Sequence, residues 1–201
     1  MAATAVRAGI SLSGSAKVIS EFFYYGVNNV LYQRGVYPPE TFAHESRFGM
    51  SLLGSTDTAV QKYLSNITSQ IQEWLEAGLV RRLVLILVDS SNGEVLERWQ
   101  FDVTCTTGSS QGRDECVVKK EMQAVIRQIT AAVTMLPLLE SPCSFDLLVY
   151  TDASTAMPPS WENSGPQSIA GGGEVDKSSM LLLEFGGGRF LKSALIGPTT
   201  A

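Results

Sequence analysis

Six consecutive aliphatic residues, Leu83-Val84-Leu85-Ile86-Leu87-Val88, constrain this chain more than any other stretch. A continuous apolar run of this length reads as a strand covered on both faces. Asn92-Gly93 follows it, the strongest short signal for a hairpin. Beyond it, Val95, Glu97, Trp99, Phe101, Val103 and Cys105 alternate with Leu96, Arg98, Gln100, Asp102 and Thr104. One face, from Trp99 to Cys105, is apolar and the other is mostly polar, the pattern of a half-buried strand. The two strands are expected to pair antiparallel.

Three helical patterns surround this hairpin. Over residues 14–34, Val18, Ile19, Phe22, Phe23, Val27, Val30 and Leu31 form one broad apolar stripe, preceded by serines and followed by Gly35 as cap chemistry prefers. Over 57–77, Val60, Leu64, Ile67, Ile71 and Trp74 step at helical spacing, with Asp57 or Thr56 to cap the start and Gly78 to stop the end. Over 117–136, Val118, Met122, Val125, Ile129, Ala132 and Leu136 do the same, and Pro137 ends the pattern. Phe48 to Leu53 and Cys143 to Thr151 read as further strands, and residues 106–114 as a polar loop. After Tyr150 the composition shifts to Ser, Pro, Gly, Asn and Ala, with glycine triplets at 171–173 and 186–188 around the apolar piece Met180 to Phe185. The expectation is a three-helix α+β core of roughly 150 residues, within reach of a single domain, and a mobile C-terminal appendage.

Composition narrows function. The chain has 201 residues, a net charge of -5 and a pI near 4.9, which argues against nucleic acid or an anionic membrane as its main ligand. Its single histidine, His44, excludes a two-histidine metal site. Cys105, Cys116 and Cys143 are scattered and odd in number, as expected of reduced intracellular thiols rather than a disulfide frame or zinc site. Residues 1–20 lack the pattern of a signal peptide, and the uncharged run from Gln128 to Leu139 is too short to span a bilayer. No GxSxG elbow is present, His44 reads as a loop residue, and the glycine triplets match no phosphate-binding loop. Asp146 stands mid-strand without a second carboxylate nearby. An enzyme using His44 with a thiol such as Cys143 is the rival class, testable with a thiol-reactive probe. No catalytic constellation and no cofactor are expected.

Two surfaces carry more information. Only 17% of residues are charged, against roughly 25% in typical soluble domains. Between Glu121 and Glu140 the sole charge is Arg127. The outward face of that helix carries Gln123, Arg127, Thr130, Ala131 and Thr134, and an arginine among small polar residues is the composition of a protein interface. The alternative is that the loop or tail covers this face. The strand from Cys143 to Thr151 precedes the tail and is a candidate sheet edge able to take an extended peptide as an added strand. The alternative is an interior strand already paired on both sides.

Longer runs carry a resemblance. Glu21-Phe22-Phe23, Leu31-Tyr32-Gln33-Arg34-Gly35 and Tyr37-Pro38 open it. Residues 93–102 (GEVLERWQFD), 125–131 (VIRQITA), 136–140 (LPLLE), 143–148 (CSFDLL), Trp161-Glu162 and 164–167 (SGPQ) continue it. Over about residues 10–170 the chain resembles the mitotic arrest deficient HORMA-domain family of the spindle assembly checkpoint. The resemblance implies a HORMA core over 10–151, with three helices on a mainly antiparallel sheet, and a C-terminal safety belt over 152–201. In such proteins the belt occupies the sheet edge in an open state. In the closed state it moves to the other side, and a partner peptide pairs with the exposed strand beneath it. Carried over by motif, the peptide-binding strand is Ser144, Phe145, Asp146, Leu147, Leu148, Val149 and Tyr150. The self-dimerisation helix is Gln123, Arg127, Gln128, Thr130 and Thr134, and the belt includes Trp161, Glu162, Gly165 and Pro166.

The implied partners are a kinetochore coiled-coil receptor, the co-activator of the anaphase-promoting complex, and a second copy, open meeting closed. The implied location is nucleus and cytoplasm, with kinetochore and spindle in mitosis. Another HORMA adaptor, such as the accessory subunit of a translesion polymerase, is the related alternative. From about residue 175 the chain departs from the family: its only histidine is His44, so the family's His-Lys-Val stretch is absent, and Gly186 to Gly188 would weaken a strand. Impaired belt locking with an intact core and dimer helix is the expectation.

Overall fold

The hairpin foreseen around Asn92-Gly93 forms the centre of the main sheet. In a computed structural model, which describes residues 9–105, 115–151, 162–164 and 180–182, β4 (Val80–Asp89) pairs antiparallel with β5 (Val95–Cys105) from Arg82↔Asp102 to Val88↔Val95. On its other side β4 pairs antiparallel with β6 (Cys143–Thr151), from Val80↔Thr151 to Asp89↔Cys143. Beyond β5 runs β1 (Gly9–Gly14), parallel to it. Beyond β6 come β8 (Met180–Leu182) and then β7 (Glu162–Ser164), so the sheet order is β1-β5-β4-β6-β8-β7. β4 lies under cover on both faces: Leu83, Leu85 and Leu87 join the main core, while Val84, Ile86 and Val88 join a second buried cluster with Val95, Leu148 and Tyr150.

The three helices lie where the apolar stripes place them. α1 (Ala16–Gln33) starts at Ser15, whose Oγ accepts from Val18 N at 3.4 Å. Gly35, at φ +61°, stops it. Twelve of its 18 residues are buried, because it lies between the sheet and a separate two-stranded hairpin. A Cβ on Gly26 would come within 3.4 Å of the Phe101 ring and 3.7 Å of Ile129, so this glycine lets α1 press against β5 and α3 together. α2 (Thr58–Glu76) is capped by Asp57, which accepts from Ala59 N at 2.8 Å and Val60 N at 3.1 Å. α3 (Glu115–Val133) buries Val118, Met122, Val125 and Ile129. It ends three residues earlier than the pattern predicts. Met135 N and Leu136 N bond the carbonyls three residues back, because Pro137 disfavours helical geometry at the residue before it and tightens the final turn.

Two readings need correction. Phe48 to Leu53 is not one strand: Phe48 (φ 51°) and Gly49 (φ 62°) form the turn between β2 (Phe42–Arg47) and β3 (Met50–Ser55), which pair antiparallel. Two consecutive positive φ values are what a two-residue hairpin turn demands. A phenylalanine in that conformation costs about 1 kcal/mol or more, and its ring is held edge-on to Phe22 at 5.5 Å, which pins the hairpin to α1. His44 accordingly sits exposed on β2, opposite Leu53, and not in a loop.

One buried ion pair ties the layers. Arg34, 8% exposed, donates from Nε to both carboxylate oxygens of Glu97 at 2.8 and 3.1 Å, and its Nη2 also bonds Glu97. Nη2 further donates to the Pro137 carbonyl at 2.5 Å, and Trp99 Nε1 donates to Glu97 at 3.0 Å. The end of α1, the middle of β5 and the segment after α3 are thereby fixed together.

Candidate functional site

The strand β6 is built to be held firmly from one side. Its Phe145, Leu147 and Val149 point into the main core, and Leu148 and Tyr150 into the second cluster. Ser144 is fully buried and Asp146 half-buried. Tyr37 and Tyr63 meet the Phe145 ring edge-on at 6.2 and 5.6 Å, so the loop after α1 and α2 both grip this strand. Burial pushes the Tyr63 hydroxyl pKa up, and the neighbouring Asp146 carboxylate adds to the rise. Across the sheet, Arg98 Nη2 donates to the Tyr150 hydroxyl at 2.8 Å, and the Arg82 and Arg98 guanidinium groups both lie 5.7 Å from its ring centre.

On its other side β6 meets β8. The ladder with β4 runs through nine register pairs; among the described residues the ladder with β8 comprises Leu148↔Leu182, Val149↔Leu181 and Tyr150↔Met180. Over Leu148 to Tyr150 the strand is thus interior, which is the alternative reading of this segment. Met180 to Leu182 is a strand, as its apolar character allows, while Leu183 to Phe185 lie outside the described residues. So do Trp161, Gly165 and Pro166; Glu162 opens β7, whose register partner for it is Leu182.

The outward face of α3 is a second surface. Arg127, Gln128, Thr130, Ala131 and Thr134 are exposed and Gln123 is half-buried. Thr130 and Thr134 turn their hydroxyls to their own helix backbone, donating to the carbonyls of Ile126 at 3.0 Å and Ala131 at 2.7 Å. Among the described residues no hydrogen bond or ion pair engages Arg127. Just past the helix end, Met135 is 81% exposed and Leu138 87% exposed. Large exposed apolar side chains beside an unengaged arginine have the make-up of a protein interface. The sequence reading stopped at Thr134 and missed Met135 and Leu138; their position just beyond a charge-poor helix end was the available signal.

The residues of the rival enzyme reading stand in different sheets. His44 is exposed on β2, while Cys143 is buried at the start of β6 with its thiol 3.1 Å from the Ser141 carbonyl. Among the described residues no group of three or more potential metal ligands is found, and no helix is long and apolar enough to cross a membrane.

Comparison with known proteins gives consistent results. The HORMA domain profile matches residues 15–178. A Mus musculus protein named Mitotic spindle assembly checkpoint protein MAD2A is 49% identical over 172 residues, covering 83% of this chain and 84% of its own length. A Dictyostelium discoideum protein of the same name is 46% identical over 179 residues, covering 87% and 88%. A chain in a solved structure titled Crystal Structure of Mitotic Checkpoint Complex superposes with a TM-score of 0.70 at 39% identity, covering 84% of this chain and 95% of that one.

Proposed function

This chain belongs to the HORMA-domain family, in its mitotic spindle assembly checkpoint branch, and on that premise we propose that it captures partner peptides by strand addition at β6. The observation that carries this reading is that β6 is anchored to β4 through nine register pairs and carries a C-terminal strand, β8, on its other edge. Displacing β8 leaves the strand anchored to β4. An incoming extended peptide recovers the main-chain hydrogen bonds that β8 releases. With β8 on β6 and β1 on β5, the arrangement corresponds to the open state that the family resemblance implies. The conversion to a closed state exchanges one strand partner for another and is slow, because pairs must break before new ones form.

In this reading the chain acts in checkpoint complexes with other proteins at the kinetochore. Its specific partners are the kinetochore coiled-coil receptor and the co-activator of the anaphase-promoting complex, and it works in nucleus and cytoplasm. The α3 face around Arg127 receives a second copy, open against closed. Residues 10–151 act as the HORMA core and 152–201 as the belt. The relatives' checkpoint names leave the polymerase-subunit alternative without support.

A fluorescently labelled co-activator peptide, titrated into the full chain and followed by anisotropy and amide hydrogen exchange, tests this. Binding with new protection across Ser144 to Tyr150 supports strand addition; absence of binding, or binding without protection there, overturns it. The release rate addresses the altered tail separately: release in seconds fits impaired locking, and release over hours refutes it.

A further inference from the structure

We propose that the cleft between α1, α2 and β2 is a second binding site, one that receives the guanidinium of an arginine on a partner protein segment. The cleft has a volume of about 300 Å³, at the lower end of the range for ligand pockets. It lies on elements that carry neither the peptide strand nor the α3 face.

Its walls are mostly acceptors. Ser20, Thr68 and Ser69 donate their hydroxyl protons to the carbonyls of Lys17, Leu64 and Ser65 at 2.8–2.9 Å, so their oxygens offer lone pairs to the cleft. Two carboxylates, Glu21 and Glu45, add negative charge. Tyr24 and Tyr25, edge-to-face at 5.1 Å, supply ring surface for a cation. A donor-rich, planar, positively charged group is what such walls recognise, and a guanidinium matches a carboxylate fork better than an ammonium does.

The chain supplies its own stand-in. Arg47, exposed at the end of β2, donates from Nε to the Tyr25 hydroxyl at 3.3 Å and interacts electrostatically with Glu21 and Glu45. Tyr25 in turn donates to Glu45 Oε2 at 2.9 Å. Burial and this Glu45 contact push the Tyr25 pKa up to about 12, so it remains a neutral donor to the carboxylate. Glu45 is placed by a glycine on the neighbouring strand: a Cβ at Gly54 would collide with its carboxylate. A guanidinium on a solvent-facing side chain already reaches this cleft, and a partner arginine competes with it for the same carboxylates.

The test is a titration of the full chain with Nα-acetyl-arginine N-methylamide, read by backbone amide NMR shifts, with the uncharged citrulline analogue in parallel. The expected result is saturable shifts confined to residues 20–25, 45–47 and 65–72 in the millimolar range, absent with citrulline and reduced in high salt. Glu21→Gln and Glu45→Gln each weaken the affinity about 5-fold or more, as loss of one charge-assisted partner predicts. Arg47→Ala strengthens it, because the internal competitor is gone; a purely structural Arg47 predicts no gain. Shifts equal for arginine and citrulline, no localised shift by about 50 mM, or no response to Glu21→Gln overturn the proposal. Glu21 makes no hydrogen bond among the described residues, so this variant carries the test even if the Glu45 variant fails to fold.

Discussion

Arg34 and Arg127 are both helix-associated arginines in opposite surroundings, and the difference separates a charge that holds this protein together from one left exposed on its surface. Arg34 spends its guanidinium inside the chain, on Glu97 and the Pro137 carbonyl, and is 8% exposed. Arg127 stands exposed on α3, on a face whose threonines have turned their hydroxyls to their own backbone. A buried, fully bonded charge contributes to folding only while its partner remains. An exposed one with small neighbours costs the monomer almost nothing and is free to serve a second molecule.

Substitutions can break this contrast. The largest effect belongs beneath the Arg127 face: Ile129→Asp puts a carboxylate into a fully buried position and is expected to abolish the cooperative urea transition. Retention of that transition would show that α3 is not integral to the core. Arg34→Met, which strands Glu97 with only Trp99 as donor, should cost about 3–5 kcal/mol by urea denaturation. Adding Glu97→Leu should recover most of it, since the uncompensated buried charge is the main penalty. A single-variant loss below about 1 kcal/mol would contradict the role given to this pair.

A smaller effect tests a third anchor. Asp89 accepts from Ser141 Oγ at 2.6 Å and from Ser91 Oγ and N, and these hydrogen bonds, Ser141's first, lower its pKa to about 2. A folded value below the unfolded one of about 3.9 means stability that is fully present above about pH 4 and lost as pH falls toward about 2. Asp89→Asn should flatten that part of the acid-unfolding curve; an unchanged curve would remove Asp89 from the account. The smallest effect on stability belongs to Arg127→Ala, expected to change the unfolding free energy by under about 0.5 kcal/mol. The same variant should weaken self-association in sedimentation velocity under conditions where the parent dimerises. An unchanged dimer would dissolve the contrast with Arg34.

Local pattern made the three helices and the β4–β5 hairpin legible, because period 3.6 and period 2 are written within 10 to 20 residues and need no partner to be read. The unengaged face of α3 was legible for the same reason: that Arg127 is the sole charge between Glu121 and Glu140 is a local fact. Glu97 shows the limit. It occupies a core-facing position of the alternating strand, which demands a cation, yet its partner lies 63 residues away in sequence, and no spacing announces that.

Strand partners are non-local in the same way. Ile10 and Leu12 carry a period-two signal in β1, but only the assembled sheet decides that β1 lies parallel to β5, or that Met180 to Leu182 lies on Leu148 to Tyr150. The turn at Phe48-Gly49 was hidden because a phenylalanine at positive φ contradicts its own preference, and contact with Phe22 across the layer overrides it. The sequence alone thus determined the three helices, the strands β4, β5 and β6, the core stripes and the family. Tertiary structure decided which strands flank β6 and which arginine is spent, because pairing and burial are settled by distant residues meeting in space.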